Sequence, residues 1–375
     1  MFYYILQECA IGTAQMNRAC ANLKVLDSYS IDTTVVFLTP FSNGCELDVS
    51  TFSHIKTLYL YKEYPYFHNH LFEIIIRFIY PVLFLNRVKK GDTVYLYNCA
   101  VFMHYVLKKK GIRVFHERTE HPDCVWGNPI TSLKKETYYQ DCKKLDGLFV
   151  ISTCLRDLFI EKGVKESRIT IINMTVDESR FENLKKDCTE KYFAYCGVIF
   201  NNKDGVDQLI KAFSLISKDY ADVKLMIIGP MPNNVDANGN MTLIRGLNIE
   251  DKVNITGSKK PEEVPQLLKN SIACVLARPD GLRSRAGFAT KLGEYLLSGN
   301  PAIITNVGDF SLFLKDMDSA LIVEPGNPQL LADKMRWVLD NTEEAKRIGS
   351  KGAEVARTHF NSTIETKKMI DIMFN

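Results

Sequence analysis

The sequence predicts an α/β protein with two doubly wound parallel-sheet domains that face a central cleft. Short apolar runs alternate with amphipathic stretches along most of the chain, which is typical of parallel strands covered by helices on both faces. This alternation occurs twice, and the polar stretch Asp177–Lys191 separates the two halves. At 375 residues the chain is also longer than one ordinary domain. We therefore predict an N-terminal domain at residues 1–176 and a C-terminal domain at residues 177–361.

The predicted strands are short runs rich in β-branched and aromatic residues, and the stretches between them have helical periodicity. In the first half the strands are expected at residues 2–6, 33–38, 54–60, 92–97, 112–116, 147–152 and 169–173. The helices there include residues 15–29, 101–110 and 155–162. In the second half we expect strands at 192–197, 223–229, 253–257, 272–277, 301–305 and 320–323, and helices at 206–217, 262–269, 291–298 and 329–340. A last amphipathic helix is predicted at residues 362–374.

The composition excludes several classes of protein. The net charge is only +3 and the basic residues are spread along the chain, so we expect no nucleic-acid partner. None of the ten cysteines belongs to a CxxC pair, which argues against zinc and for reduced thiols in the cytoplasm. The first residues lack the basic region of a signal peptide, which argues against an exported two-domain solute-binding protein.

One very apolar segment, residues 71–91, raises the question of membrane contact. Charged residues and a proline interrupt it, so that it is too short to span a bilayer. One interpretation is a helix buried against the sheet. The other is a peripheral membrane patch at the inner face of the plasma membrane, with Arg87, Lys89 and Lys90 at the headgroups.

The segment RAGFATKLGEYLLSGNP, residues 285–301, follows a predicted strand and combines a helical pattern with charged groups. Thr290 is the expected N-cap, and free N–H groups at a helix start suit a phosphate. Lys291 adds a cation where the helix dipole disfavours one, which indicates a function. Gly293 is expected to leave room for a ligand, and Glu294 can accept two hydrogen bonds from the vicinal hydroxyls of a ribose. The alternative is a surface pair between Lys291 and Glu294.

This segment resembles the donor-site signature of the retaining glycosyltransferases of family 4, which have the GT-B fold of two Rossmann-like domains. The second glutamate of the signature, its Gly-Phe and its SGNP turn are present, but Ala286 stands at the first glutamate. The resemblance implies that Glu294 holds the nucleotide ribose, and it leaves open how the sugar ring is held. It also implies that Lys291 stabilises the leaving diphosphate. Further donor contacts are implied for the neighbouring residues Gly287, Phe288, Ala289 and Thr290.

A second stretch, YCGVIFNNKDG, resembles the family's phosphate-binding turn between a strand and a helix. Val198 replaces the arginine of the family's diphosphate clamp, and Asp204 occupies the position of its lysine, one residue after Lys203. The resemblance still implies phosphate contacts from Gly197 and Lys203. The missing charge could come from Arg278, Arg283, Arg285 or Lys291. For Arg278, an ion pair inside the domain is an equal alternative.

Two further regions resemble parts of the family's donor site. The loops after the second and third strands of the C-terminal domain resemble its base-binding edge, with backbone groups at Gly229, Ser258 and Lys259 reading the nucleobase. In the N-terminal domain, Gly12 and Thr13 follow the first strand and would face the donor phosphates. An ordinary strand–helix turn explains these two residues equally well.

The segment VFHERTEHP ends a predicted strand with several titratable groups. His116 matches the place of a family histidine beside the donor sugar, although a lone histidine is more often structural. Glu120 is a weaker candidate for orienting an acceptor hydroxyl. Asp316–Asp318 looks like a solvated helix end, so that no metal is expected, and none is typical of GT-B enzymes. The resemblance also implies that the last helix, about residues 362–375, packs on the N-terminal domain.

The resemblance as a whole implies a nucleotide-sugar-dependent transferase of hexosyl type that needs no cofactor. It would move a sugar from a UDP or GDP donor to a hydroxyl of a glycan or lipid-linked oligosaccharide, with retention. Such enzymes build bacterial capsule, exopolysaccharide and lipopolysaccharide. Two alternatives stay open. One is a nucleotide-sugar-binding protein without transfer activity, which the absent first glutamate motivates, and the other is a GT-B epimerase or phosphorylase.

Overall fold

The computed structural model describes residues 1–9, 11–39, 46–63, 82–125, 132–230 and 235–375. The chain forms two compact units. The first unit comprises Met1–Asn173 and Ser362–Asn375, and the second unit comprises Met174–Asn361. Each unit contains one parallel sheet, so the predicted α/β class with two Rossmann-like parallel-sheet domains is confirmed.

The strands of the first unit are β1 Phe2–Leu6, β2 Thr33–Phe37, β3 Ile55–Tyr59, β4 Thr93–Tyr97, β5 Arg113–Arg118, β6 Gly147–Val150 and β7 Ile169–Ile171. They form one parallel sheet in the order β3-β2-β1-β4-β5-β6-β7. The strand order reverses between β1 and β4. The carboxyl ends of strands at such a reversal are the usual place for a ligand in a doubly wound sheet.

The described helices of the first unit that precede residue 174 are, in chain order, α1 Ala14–Ser28, α2 Leu60–Glu63, α3 Ala100–Val106, α4 Pro122–Val125, α5 Ser132–Cys142 and α6 Thr153–Glu161. α1 begins directly after the turn that follows β1. Thr13 is its N-cap, because the hydroxyl accepts a hydrogen bond from the Met16 N–H at 3.2 Å. Gly12 precedes it with a φ of +85°.

The strands of the second unit are β8 Lys191–Cys196, β9 Val223–Ile228, β10 Val253–Ile255, β11 Ala273–Leu276, β12 Ala302–Thr305 and β13 Leu321–Val323. They also form a parallel sheet, in the order β10-β9-β8-β11-β12-β13. The order reverses between β8 and β11, so the loops after these two strands flank the switch point of this sheet.

The helices of the second unit are α7 Asn201–Asp204, α8 Val206–Ile216, α9 Val235–Gly246, α10 Val264–Asn270, α11 Leu282–Ala286, α12 Thr290–Leu297, α13 Phe310–Phe313, α14 Pro328–Asp340 and α15 Thr342–His359. The α8 helix buries Leu209, Ile210 and Phe213, which recur at the spacing of one helical face. α7 follows β8, and α11 and α12 follow β11. Of the predicted site residues, Lys203 lies on α7, and Thr290, Lys291 and Glu294 lie on α12.

A final helix, α16 Ser362–Phe374, returns the chain to the first unit. The Thr366 hydroxyl donates to the side-chain Oδ1 atom of Asn22 on α1 at 2.9 Å. The buried Glu365 carboxylate accepts the backbone N–H of Asn173 at 2.8 Å. Met369 and Met373 are buried in the same apolar core as β1 and β2. The last residues of the chain therefore complete the core of the first unit.

A buried ion pair lies inside the first unit. Arg18 Nε on α1 is 2.7 Å from Glu117 Oε1 on β5, and their side chains are only 2% and 1% exposed. The Tyr95 hydroxyl donates to the other oxygen of Glu117. Arg18 also donates to the carbonyl oxygen of Asn173 at 2.7 Å. Buried charges need such partners, because each loses its hydration on folding.

The apolar segment at residues 71–91 lies mostly outside the described residues, which resume at residue 82. Arg87, Lys89 and Lys90 are described, and all three are exposed. Within the described ranges, no helix combines the length and apolar character needed to cross a membrane.

Candidate functional site

The backbone at the ends of the neighbouring strands β8 and β9 lies beside the switch point of the second unit, which falls between β8 and β11. Gly197 and Gly229 follow these strands with φ angles of +148° and +145°, a region that favours glycine. A Cβ atom on Gly229 would lie 2.3 Å from the Gly197 carbonyl oxygen. A Cβ atom on Gly197 would lie 2.2 Å from the Nζ atom of Lys291. The two glycines therefore allow backbone and the lysine ammonium to lie close together. The phosphate contact expected from Gly197 stays a prediction.

The ammonium of Lys291 is held by residues that follow or belong to β8. Its Nζ atom lies 2.6 Å from Asp204 Oδ2 and 3.0 Å from the Tyr195 hydroxyl. The Tyr195 hydroxyl lies 2.9 Å from the same carboxylate oxygen, and Nζ sits 4.5 Å from the centre of the Tyr195 ring. The lysine and aspartate side chains are 17% and 4% exposed. The site thus contains a largely buried ion pair on the face of an aromatic ring.

Burial and pairing oppose each other at this ion pair. Burial lowers the pKa of Lys291 below its usual value, and the attraction of Asp204 only partly offsets this shift. Burial would raise the pKa of Asp204, but the neighbouring ammonium lowers it overall. The carboxylate is therefore ionised at neutral pH, and it is the group that keeps a proton on a buried lysine.

Glu294 does not pair with Lys291, so the predicted alternative of a surface pair between them is wrong. Its Oε1 atom instead accepts a hydrogen bond from Arg180, whose second terminal nitrogen donates to the Pro261 carbonyl oxygen at 2.7 Å. The glutamate side chain is 18% exposed. It therefore keeps access to solvent while one of its oxygens is held in place.

Two predictions about the start of α12 are corrected by the structure. The N-cap is Ala289, not Thr290, and no side chain caps the helix there. Thr290 is the first helical residue. A Cβ atom on Gly293 would lie 2.9 Å from the Met174 sulfur and 3.0 Å from Val176 Cβ. Because the chain entering the second unit fills this space, Gly293 permits close packing and does not make room for a ligand.

The residues just before α12 are largely buried. Phe288 packs its ring edge-on against Phe310, with centroids 5.1 Å apart, and it also contacts Phe360. Ala289 and Ala286 are buried as well, whereas Gly287 is partly exposed. The aromatic ring thus belongs to the core, and only backbone groups of residues 287–289 could meet a donor.

The two other cations predicted for phosphate lie on either side of the switch point. Arg278 follows β11, is buried, and donates from Nε to the Lys203 carbonyl oxygen at 3.3 Å. The Thr305 hydroxyl donates to the Arg278 carbonyl oxygen at 2.7 Å. Lys203 on α7 is partly exposed. Arg278 therefore supports the loop that carries Lys203, and Lys203 has the more accessible side chain.

The predicted base-binding edge is continuous in the structure. The Gly229 N–H donates to the Gly257 carbonyl oxygen at 3.1 Å, which joins the ends of β9 and β10. Ser258 and Lys259 follow directly and are exposed. Their backbone groups are therefore adjacent to Gly229 and open to solvent.

His116 lies in the middle of β5, which runs two residues beyond its predicted end. The ring is fully buried, with Nδ1 2.9 Å from the Leu96 carbonyl oxygen and Nε2 3.1 Å from the Tyr138 hydroxyl. Burial and the neighbouring Arg118 lower the pKa of His116 to about 3, so the ring is neutral at physiological pH. Its catalytic role stays a prediction, and this placement favours the structural alternative. Glu120 is exposed just beyond the strand.

Sequence reasoning missed three residues of this site: Asp204 as a partner, Tyr195 and Arg180. Asp204 was a usable signal, because it stands where the resemblance expects a lysine. An acidic residue there implies that another part of the chain supplies the cation. Tyr195 and Arg180 carry no local signal. No cluster of three or more potential metal ligands occurs within the described ranges of the chain.

Residues 176–355 match the family model described as glycosyl transferases group 1. The chain is 23% identical over 218 residues to D-inositol 3-phosphate glycosyltransferase of Corynebacterium glutamicum, covering 54% of this chain and 51% of that protein. It is 24% identical over 244 residues to the capsular polysaccharide biosynthesis glycosyltransferase CapM of Staphylococcus aureus, covering 61% of each. The chain thus spans about half the length of the curated relatives it matches.

Solved structures resemble nearly the whole chain. Anabaena HepE in complex with UDP has a TM-score of 0.77 at 12% identity, covering 99% of this chain and 98% of that chain. A glycosyltransferase from Rickettsia africae has a TM-score of 0.76 at 16% identity, covering 99% of this chain and 97% of that chain. The chain therefore has the GT-B fold, and its second unit matches the glycosyl transferases group 1 family.

Proposed function

We propose that the chain is a retaining glycosyltransferase of hexosyl type that uses a UDP or GDP sugar and works in the cytoplasm. Its acceptor is a hydroxyl of a glycan or lipid-linked oligosaccharide in cell-surface polysaccharide synthesis. The group 1 match supports a transferase, and the name of CapM supports a polysaccharide product. The HepE complexes with UDP and with UDP-glucose support a uridine donor.

The ammonium of Lys291 beside Gly197 is the observation that carries this proposal. It places a fixed positive charge at the switch point of the sheet, next to backbone that excludes side chains. Negative charge develops on the diphosphate as the bond to the sugar breaks, and a preorganised cation stabilises that charge. Lys203 adds a second, more accessible cation from α7. In this proposal the leaving phosphate acts as the base for the incoming hydroxyl, so no resident metal is required.

Glu294 is proposed to bind the ribose one helical turn beyond Lys291. Its spacing of three residues puts both side chains on one side of α12. Oε1 is held by Arg180, and the carboxylate retains further acceptor positions for the two ribose hydroxyls. Backbone groups of Gly229, Ser258 and Lys259 are proposed to contact the base.

The test is a calorimetric titration of UDP, GDP and their common sugar conjugates against the wild type and Glu294→Ala. Loss of a charged contact to ribose should weaken binding about tenfold or more. Binding of one nucleotide that the variant loses supports the proposal. If no nucleotide binds, or if the variant binds equally well, the proposed donor site is wrong.

A second candidate is a nucleotide-sugar-binding protein that does not transfer. The observation that favours it is Ala286, which replaces the family's sugar-contacting glutamate and is fully buried. No side chain at this position can therefore hold the sugar ring. Incubation with the bound donor and an acceptor library separates the two candidates, because only a transferase forms a glycoside, and an α or β anomeric proton signal reports its stereochemistry.

Peripheral contact with the inner face of the membrane is proposed through Arg87, Lys89 and Lys90. All three are exposed, and they lie at the end of the apolar segment at residues 71–91. Sedimentation with anionic liposomes tests this contact with the wild type and a variant in which all three are alanine. Equal pelleting of the two proteins, or no dependence on liposomes, would contradict it.

A further inference from the structure

A short 3₁₀ turn, Glu178–Phe181, is fixed from two sides at the start of the second unit. The Asp177 carboxylate accepts the N–H of Ser179 at 3.1 Å and its hydroxyl at 2.6 Å. Glu178 accepts a hydrogen bond from Arg357 Nε on α15 at 2.7 Å. These contacts hold the turn, and Arg180, which lies within it, donates to Glu294 on α12.

Arg180 connects two parts of the proposed nucleotide site that are far apart in the sequence. One terminal nitrogen donates to Glu294 on α12, and the other donates to the Pro261 carbonyl oxygen at 2.7 Å. Pro261 lies in the segment between Gly257 and α10, which also holds Ser258 and Lys259. A guanidinium is planar with its donors in a fixed fork, so it sets both the direction and the separation of its two acceptors.

The contact with Arg180 is compatible with ribose binding. A carboxylate offers about four lone-pair positions on its two oxygens, and Arg180 takes only one of them, on Oε1. Two vicinal hydroxyls can then donate to the positions that remain. Without Arg180, the partly exposed side chain of Glu294 would rotate freely and would bind a diol less well.

We infer that Arg180 is a positioning residue that fixes Glu294 for the two ribose hydroxyls and thereby sets the preference for ribose over 2′-deoxyribose. This inference rests on the proposed function. It assigns a recognition role to a residue of the segment that enters the second unit, outside both donor-site motifs. A residue with only a structural role would change overall stability or affinity and leave the ratio of the two affinities unchanged.

The test measures the Kd values of UDP and 2′-deoxy-UDP by calorimetry for the wild type, Arg180→Ala, Arg180→Lys and Glu294→Ala. Arg347→Ala is the matched control, because it removes an exposed arginine contact with Glu344 in the same unit, outside the turn and the proposed site. We expect the wild type and R347A to prefer UDP by about tenfold. R180A and E294A should lose most of this preference, and R180K, which keeps the charge but not the fork, should lie between. If GDP is the nucleotide that binds, GDP and 2′-deoxy-GDP replace the uridine pair.

The outcomes separate this inference from the proposed function. If R180A prefers UDP over 2′-deoxy-UDP as strongly as the wild type does, while E294A loses this preference, only the role of Arg180 is overturned. An unchanged preference in E294A would overturn the ribose role of Glu294 and with it the proposed site. If R180A does not fold, R180K decides the question, since an unchanged preference in this variant overturns the inference.

Discussion

Asp204→Asn removes the negative partner of the buried Lys291 ammonium while preserving the shape of the side chain. The two groups are 2.6 Å apart, and the side chains are 17% and 4% exposed. Removing one partner of a buried ion pair costs about 3–5 kcal/mol, because the other charge stays buried and unpaired. Lys291 keeps its contact with the Tyr195 hydroxyl at 3.0 Å, so we expect the lower end of this range. The free energy of unfolding should fall by about 3 kcal/mol at neutral pH.

The loss should depend on pH in a defined direction. Burial already lowers the pKa of Lys291, and the variant lacks the carboxylate that opposes this shift. The pKa of Lys291 in the folded variant then lies further below its value in the unfolded chain. At a pH between these two pKa values, the unfolded chain binds more protons than the folded one. Stability therefore rises with pH in this window, and the deficit relative to wild type is larger at about pH 6 than at about pH 9.

Urea unfolding at both pH values measures this prediction. The matched control is Asp222→Asn, which breaks an exposed ion pair in which Lys191 Nζ lies 2.8 Å from Asp222 Oδ2. It should lower the free energy of unfolding by less than about 1 kcal/mol. The double variant D204L/K291M replaces the buried pair with apolar groups and should recover most of the lost stability. A D204N protein as stable as the wild type at about pH 6, or a deficit that grows with pH, would refute the reasoning.

Three further predictions concern other parts of the two units. Glu117→Ala removes the carboxylate partner of the buried Arg18 in the first unit. Urea unfolding should therefore show a loss of about 3–5 kcal/mol, and a loss below about 1 kcal/mol would contradict the pairing. Gly197→Ala places a methyl group against the ammonium of Lys291, at a φ of +148°, and calorimetry should show UDP binding weakened about tenfold. Gly281→Ala is the control, because its methyl group would meet no atom within 4 Å, and it should leave UDP binding unchanged. His116, with a pKa lowered from 6.5 to about 3, stays neutral in the folded state, so its contribution to stability is present above pH 6.5 and is lost as the pH falls toward about 3. This contribution has a slope of up to about 1.4 kcal/mol per pH unit, and unfolding experiments on His116→Asn should show a shallower acid dependence; an unchanged slope would contradict the low pKa.

The fold could be predicted because its signals are local. A parallel strand is recognised from a short apolar run, and a surface helix from its spacing, without knowledge of distant residues. Lys291 and Glu294 were found for the same reason, since both lie in one helical segment with an unusual charge pattern. The corrected N-cap depends on more than residue type. Phe288 packs against Phe310 in an aromatic cluster, and the next residue, Ala289, is the N-cap.

The partners of the site residues could not be predicted, because they come from distant parts of the chain. Asp204 is 87 residues from Lys291, and Arg180 is 114 residues from Glu294. Gly293 was misinterpreted for a similar reason, since the atoms that fill its space belong to Met174 and Val176. A sequence pattern indicates which groups can do chemistry, but only the packing shows what restrains them.

The return of α16 to the first unit has a consequence for synthesis on the ribosome. Met369 and Met373 belong to a core whose other members, such as Phe2 and Tyr4, are translated first. The second unit is continuous in the sequence and contains all of its own strands, so it can fold as soon as it has emerged. The first unit needs residues 362–374 of α16 before its core is complete. A chain that ends at residue 361 should therefore contain a protease-resistant second unit and a protease-sensitive first one.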